Sequence, residues 1–189
     1  MEKGKTALLV IDVQESFRHR ACWNEAELPP FIRHLHDLID QSKRLGIPVL
    51  QVFHADEDEG PNGPFSRESG HVRTLAELAL RPEAVFHKSV HSALYARNEA
   101  GETLEEWLRS NGCTRLVITG IRTEQCCETT ARHAFDAGFD VRYVTAATLT
   151  FAMTSAAGRT YSPEELRDRT ELVLAGRFAT IVRPEVALA

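Results

Sequence analysis

Short apolar runs alternate along this chain with segments in which apolar residues recur every three or four positions. Uninterrupted runs predict β-strands, whereas the three-to-four spacing is typical of amphipathic helices. The segment 54–84 is rich in turn-forming residues and predicts a long loop. Strands are predicted at 6–13, 47–53, 84–88, 115–120, 139–145 and 178–182, and helices at 29–45, 100–112, 123–137 and 162–176.

The predicted strands carry continuous rather than alternating runs of apolar residues. Such strands are buried on both faces, as in parallel sheets whose connecting helices cover both sides. The pattern therefore predicts an α/β fold, a three-layer α/β/α sandwich with a doubly wound, mostly parallel sheet, in a single domain spanning 1–189. Functional groups gather at the carboxyl ends of such strands, and Asp12, Lys88 and Cys126 stand at three of them.

Composition narrows the classes of function. The 189 residues carry a formal net charge of −5, whereas nucleic acids and anionic membranes both attract a basic face. The apolar runs are also far shorter than the ~20 residues that cross a bilayer. We therefore expect a small-molecule substrate, no nucleic-acid or membrane partner, and a cytoplasmic location.

The cysteines are expected to be free thiols. Nothing in the chain indicates secretion, and the absence of a C-x-x-C pair gives no support to a structural zinc site. The four residues are Cys22, Cys113, Cys126 and Cys127.

Two adjacent cysteines lie where a strand is predicted to give way to a helix. Cys126 falls in the first turn of a helix that should begin near Thr123 as its cap. Unpaired backbone N–H groups and the helix dipole there would lower its thiol pKa and could hold an oxyanion. Cys127 is turned roughly 100° from Cys126 around the helix axis. It is predicted to belong to the core, on a helix face with Ala131, Ala134 and Phe135.

Three segments carry a family resemblance. They are LLVIDVQESF at 8–17, HKSVHSAL at 87–94 and VITGIRTEQCCETTARHAFDAGF at 117–139. The first resembles the opening strand of the isochorismatase-like cysteine hydrolases, a superfamily that includes nicotinamidases and N-carbamoylsarcosine amidase. The second is similar to their K-x-x-x-S-A-[FL] segment and the third to their G-[VI]-x-T-[DE]-x-C-x-x-x-T-A-x-[DH]-A signature. The resemblance covers roughly residues 5–150.

The resemblance implies a cysteine-dependent hydrolase of a small amide, ureido or carbamoyl compound that works through a thioester. It implies a catalytic triad of Asp12, Lys88 and Cys126. The backbone N–H groups of Arg122 and Cys126 would form the oxyanion hole, beside a cis peptide bond between Ile121 and Arg122. No cofactor is expected. The chain is expected to form a homo-oligomer, either a dimer or a tetramer. Four residues are expected to line the substrate pocket: Gln14, Phe17, Trp23 and Phe151.

Two of the chain's departures from the family concern its histidines and Arg122. Nicotinamidases carry an Asp-x-His stretch after the second strand and a further histidine, which bind a metal. Here His54 and His71 are present without that arrangement, so no metal site is assigned and nicotinamide is disfavoured as substrate. Arg122 stands where relatives commonly have a small residue. Its guanidinium is expected either to grip a substrate carboxylate or ureido oxygen, or to hold a surface loop.

Other functions stay open at this point. A catalytically silent or redox-responsive binding protein would use Cys126 as an oxidisable thiol. A structural scaffold would need only the fold and self-association, and a nicotinamidase is a further alternative within the same family. The presence of Asp12 and Lys88 together with Cys126 favours the hydrolase, because a binding protein needs neither.

Overall fold

A six-stranded parallel sheet forms the centre of the fold. The computed structural model describes residues 4–189, apart from the side chain of Glu57, so residues 1–3 of the predicted domain lie outside the described residues. Its strands are β1 (Lys5–Ile11), β2 (Val49–His54), β3 (Ala84–Lys88), β4 (Cys113–Ile121), β5 (Asp140–Leu149) and β8 (Thr180–Ile181). They lie in the order β3-β2-β1-β4-β5-β8, and neighbouring strands are all parallel.

Helices cover both faces of this sheet. Leu8 and Val10 of β1 face the helix that connects β1 to β2, whereas Leu9 and Ile11 face the layer that contains the other three helices. Because each face of β1 is covered from Ala7 to Ile11, that part of the strand is apolar without interruption, and the predicted three-layer sandwich is confirmed. The helices are α1 (Leu28–Leu45), α2 (Leu104–Ser110), α3 (Glu128–Asp136) and α4 (Pro163–Leu174).

The sheet reverses its direction of growth at β1. From β1 the chain adds β2 and β3 on one side, and later β4, β5 and β8 on the other. In open parallel sheets the crevice at such a reversal, outside the carboxyl ends of the strands, is the usual ligand-binding position. The fold therefore places a candidate site between the ends of β1 and β4.

Some predicted boundaries are wrong for local reasons. Helix α2 begins at Leu104 rather than at 100, because Thr103 and Glu106 form a capping box. Strand β5 continues to Leu149, well beyond the predicted end at 145. A short antiparallel hairpin of β6 (Met153–Thr154) and β7 (Thr160–Tyr161), which the sequence pattern did not indicate, precedes α4.

Gly120 allows β1 and β4 to approach closely near the candidate site. Its φ is +134°, and a Cβ placed there would lie 2.0 Å from the carbonyl oxygen of Ile11. The pairing of β4 with β5 also shifts register between Ile118 and Gly120. A residue without a side chain is therefore required at this point.

Within residues 4–189, no helix is both long enough and apolar enough to cross a membrane.

Candidate active site

Four side chains from separate segments meet at the carboxyl edge of the sheet. Asp12 follows β1, His54 ends β2, Lys88 ends β3, and Cys126 lies in the turn after β4. The ammonium nitrogen of Lys88 contacts all three of the others. The three strand-end residues singled out in the sequence are thus brought together, with a histidine added to them.

Lys88 contacts each of the other three residues of this cluster. Its Nζ lies 2.7 Å from Asp12 Oδ2, 3.2 Å from His54 Nδ1 and 3.3 Å from Cys126 Sγ. Burial alone lowers the pKa of Lys88, but the interactions with Asp12 and, after it, Cys126 more than offset it, so its pKa is raised. Lys88 is therefore a protonated ammonium, paired with a carboxylate inside the protein.

Asp12 is held in an uncommon backbone conformation with one carboxylate oxygen unused. Its φ is +53°, the left-handed region that only a few residue types with side chains adopt readily. The side chain is fully buried, and Oδ2 is paired with Lys88. Oδ1 has no hydrogen-bond partner among the described residues. One carboxylate oxygen of Asp12 lies within 4.8 Å of Cys126 Sγ, so this carboxylate is placed to accept a proton from the thiol.

The thiol of Cys126 is not activated in the way that its position in sequence suggested. A π-helical turn at Thr123–Cys127 precedes α3, and Thr123 does not cap it, because its hydroxyl bonds that of Thr148 at 2.8 Å. Burial, and after it the charge of Asp12, raises the pKa of Cys126 well above its ordinary value, while Lys88 lowers it by less. The expectation of a lowered thiol pKa is wrong, and the resting residue is a neutral thiol.

Cys127 belongs to the core, as predicted. It is fully buried with Ala131 and Ala134, and burial raises the pKa of its thiol. Phe135, expected on the same face, is instead 44% exposed and lies edge-on against Phe178. All four cysteines of the chain are free thiols.

A cavity of about 230 Å³ opens onto Asp12 and Cys126. Phe17 and Phe65 form an apolar wall, their rings edge to face with centroids 5.1 Å apart. The remaining wall is polar, and Arg20 there is ion-paired with Glu59 while its guanidinium lies over Phe65. Further polar lining comes from His54, Asp56, His91, Arg122 and Gln125.

Of the four residues predicted to line the pocket, only Phe17 is among the described residues that line this cavity. Gln14 is fully buried, and its side-chain amide bonds both the N–H and the C=O of His54, at 2.8 and 2.9 Å. Phe151 is a core residue that packs between Phe17 and Trp23, with ring centroids 6.4 and 5.5 Å away. Gln14, Trp23 and Phe151 instead support the wall or the strand ends behind it.

Arg122 lines the cavity and is ion-paired with a residue of its own turn. The peptide bond between Ile121 and Arg122 is cis. The Arg122 side chain lines the cavity, and its Nε lies 3.1 Å from Glu124 Oε1 in an ion pair of low exposure. These two atoms do not form a well-aligned hydrogen bond, so the attraction between them is mainly coulombic. Nη2 reaches the carbonyl of Phe151 at 3.5 Å.

The donor set does not fit the metal site of nicotinamidases. His54 offers a ring nitrogen within 4.8 Å of ligand atoms of Asp12 and Cys126, but all three residues contact Lys88 Nζ. A metal ion at this point would have to displace the ammonium. His71 is not part of that described group, and its ring lies against His19 with centroids 3.9 Å apart.

Comparison with known proteins decides the family. The family model described as the Isochorismatase domain matches residues 6–177. The chain belongs to the isochorismatase family. The sequence-based assignment is confirmed, and the protein is an isochorismatase-family hydrolase.

Relatives and a solved structure show the extent of this similarity. Nicotinamidase 3 of Arabidopsis thaliana is 30% identical over 188 residues, covering 93% of this chain and 83% of the relative. The ureidoacrylate amidohydrolase RutB of Methylobacterium radiotolerans is 27% identical over 168 residues, covering 71% and 63%. The crystal structure of an isochorismatase-family hydrolase from Chromobacterium violaceum superposes with a TM-score of 0.82 at 26% identity, covering 98% of this chain and 92% of that one.

Sequence reasoning missed the role of His54 and most of the cavity wall. His54 ends β2 beside Lys88 in the strand register, so the strand-end argument that selected Asp12 and Lys88 could also have selected it. Asp56, Glu59 and Phe65 come from the irregular segment after β2. That segment has no periodicity from which the direction of a side chain can be predicted.

Proposed function

We propose that the chain hydrolyses a C–N bond of a small amide, ureido or carbamoyl compound through a thioester on Cys126. The observation that carries this proposal is the contact of one ammonium, that of Lys88, with both Asp12 and Cys126 at the inner end of a cavity. A nucleophile, a proton acceptor and a fixed positive charge within reach of one another are what nucleophilic catalysis by a thiol requires.

The first step is attack by a thiol that gives up its proton as it reacts. Asp12 accepts the proton of Cys126, and Sγ bonds to the carbonyl carbon of the substrate. The backbone N–H groups of Arg122 and Cys126 would hold the oxygen as it becomes negative. Lys88 keeps the carboxylate oriented and stabilises the anion on either partner.

The second half returns the enzyme to its starting state. Asp12 passes its proton to the nitrogen that leaves as the C–N bond breaks, so an amine or ammonia departs and a thioester remains on Cys126. A water molecule, deprotonated by Asp12, then attacks the thioester carbon. The acid is released, and the sulfur recovers the proton as the thiol.

Size and relatives support a small substrate. A cavity of about 230 Å³ lies below the range that holds drug-sized ligands. The names nicotinamidase and ureidoacrylate amidohydrolase, carried by two relatives, both describe hydrolysis of small amide or ureido compounds. The redox-responsive alternative asks for an exposed thiol of low pKa, and Cys126 is buried with a raised pKa.

The test is a hydrolysis screen with a trapping step. The purified protein is incubated with primary amides, ureas and N-carbamoyl amino acids, and release of ammonia or amine is followed. Rapid acid quench and intact mass spectrometry should then show an acyl adduct that maps to Cys126 and is missing in Cys126→Ala. Turnover that persists in Cys126→Ala would exclude the thioester route, and no turnover of any compound in the panel would count against this substrate class.

A further inference from the structure

The ammonium of Lys88 has three N–H donors and three neighbouring acceptors. Two of the acceptors belong to the proposed catalytic pair, Asp12 Oδ2 at 2.7 Å and Cys126 Sγ at 3.3 Å. The third is His54 Nδ1 at 3.2 Å. An ammonium can only donate, so Nδ1 at this distance must be the unprotonated ring nitrogen.

We propose that His54 is a positioning residue whose unprotonated Nδ1 holds the third N–H of Lys88, and so keeps the ammonium between Asp12 and Cys126. This inference rests on the proposed function, because the value of that placement lies in the reaction of Cys126. His54 needs no contact with the substrate for the role. Without its ring nitrogen, one donor of a buried ammonium would be left unpaired, and the lysine would gain by moving toward other acceptors.

Hydrogen bonds and ring packing hold His54 in the position that this role requires. Its backbone N–H and C=O are both bound by the side-chain amide of Gln14, which therefore continues the hydrogen bonding of the strand ends beyond the sheet. The ring stands edge-on against Phe65 with centroids 5.7 Å apart. Backbone and ring are thus fixed independently, and the direction of Nδ1 is determined by both.

The charges around His54 agree with a neutral ring. Burial and, after it, the charge of Lys88 lower the pKa of His54, and His91 acts in the same direction. Asp12 and Asp56 act in the opposite direction with smaller effect. The ring consequently stays neutral at pH 7 and becomes charged only below its ordinary range, where it would turn from an acceptor into a second cation beside Lys88.

Reactivity of Cys126 tests the role with matched variants. His54→Asn keeps an acceptor oxygen near the position of Nδ1, and His54→Leu removes it. Iodoacetamide alkylation at pH 8 is mapped to Cys126 by peptide mass spectrometry. We expect about a tenfold or larger loss of rate in His54→Leu, the size expected for one hydrogen bond to a charged group, and recovery of most of the rate in His54→Asn.

A control and a pH series complete this test. His87→Leu removes a histidine adjacent to Lys88 in the chain, whose ring lies against Phe53, and should change the rate by no more than about twofold. On lowering the pH, the rate in the unmodified protein should fall more steeply than the thiol alone requires once His54 becomes protonated, and His54→Asn should lack this additional fall. Equal rates in His54→Leu and the unmodified protein, or equal losses in His54→Leu and His54→Asn, would overturn the inference.

A spectroscopic measurement separates this inference from the proposed function. Long-range ¹⁵N–¹H NMR of protein labelled at its 8 histidines, with His54 assigned from the missing signal of His54→Asn, reports the tautomer without any turnover. We expect the Nε2–H form at pH 7, and a rise of the pKa of His54 in Lys88→Met. An Nδ1–H or doubly protonated ring would overturn the inference even in an active enzyme. The expected tautomer in a protein that hydrolyses nothing would instead leave the inference standing and refute the proposed function.

Discussion

Asp12 and Lys88 form a fully buried ion pair at 2.7 Å although β2 lies between their strands in the sheet. The two residues are 76 positions apart in the chain, and each leaves its strand at the same edge. Such a pair costs desolvation, and removing one partner leaves an uncompensated charge inside the protein. A buried charge pair beside a thiol is costly to maintain for stability alone, so the arrangement indicates a role in the chemistry of the site.

Asp12→Asn should fold and lose hydrolysis. Asparagine tolerates the left-handed backbone at φ +53°, whereas its amide cannot accept the proton of Cys126. We expect the turnover number to fall by about 10²–10⁴-fold, and the free energy of unfolding to fall by about 3–5 kcal/mol because Lys88 loses its counter-charge. Ammonia release and urea unfolding measure the two effects. Retention of more than a tenth of the activity would show that another group takes the proton.

The adjacent cysteines should behave oppositely on mutation. Cys126→Ala should abolish turnover and leave the melting temperature nearly unchanged. Cys127→Ala should keep turnover and lower the free energy of unfolding by about 1 kcal/mol, because it opens a small cavity at a fully buried position. Thermal melts and the hydrolysis assay on both variants check this. Equal activity in the two variants would remove Cys126 from the mechanism.

Alkylation of Cys126 should be slow at neutral pH and rise steeply with pH. Burial and Asp12 raise its pKa, so the thiolate is the minor form at pH 7, and the rate should climb about tenfold per pH unit below that pKa. Lys88 acts to lower the pKa. Lys88→Met should therefore shift the rate–pH curve to higher pH. A fast reaction at pH 6.5 that is already independent of pH would contradict this and would indicate a prepared thiolate.

Gly120→Ala should be far more damaging than Gly138→Ala. Both glycines have positive φ, +134° and +87°, but a Cβ at 138 meets nothing within 4 Å, whereas one at 120 would strike the Ile11 carbonyl. We expect Gly138→Ala to cost about 1–2 kcal/mol from backbone strain. Gly120→Ala should prevent folding or separate β1 from β4. Soluble yield and urea unfolding compare the two, and similar stabilities would mean that the strands can move apart cheaply.

Arg122 and Glu124 should be coupled in stability. Arg122→Gln leaves a Glu124 carboxylate of low exposure with a single described hydrogen bond, from Thr150, and should cost about 1–3 kcal/mol. Arg122→Gln combined with Glu124→Gln should recover part of that loss, since neither amide requires a counter-ion. Urea unfolding of both single variants and the double variant gives the coupling energy. Additive losses would show that the two charges do not stabilise each other.

The sheet and the strand-end residues could be predicted because burial of a strand requires apolar residues, which are visible in the sequence. The part of a strand that is covered on both faces must be apolar, as β1 is from Ala7 to Ile11, and the polar residue at its carboxyl end stands at the sheet edge. Asp12 and Lys88 were found in this way. His54 obeys the same rule, but a histidine after a strand carries no distinctive signal by itself.

The protonation state of Cys126 could not be predicted from its position in the chain. The helix start and Lys88 favour the thiolate, and burial and Asp12 oppose it. The balance depends on distances that only the folded protein fixes. Gln14 illustrates a second limit, because a motif marks a position as important without telling whether its side chain faces a ligand or, as here, the main chain of His54.

The central position of β1 has a consequence for how the chain is made. During synthesis on the ribosome, β1 can pair with β2 early, but its other edge waits until Ile121 of β4 has left the exit tunnel. For that interval a strand that is apolar from Ala7 to Ile11 presents open hydrogen-bonding groups, which is the hazard that chaperones relieve in nascent chains. Cys126 follows Ile121 by only a few residues, so the reaction centre and the pairing of both edges of β1 are completed at nearly the same moment.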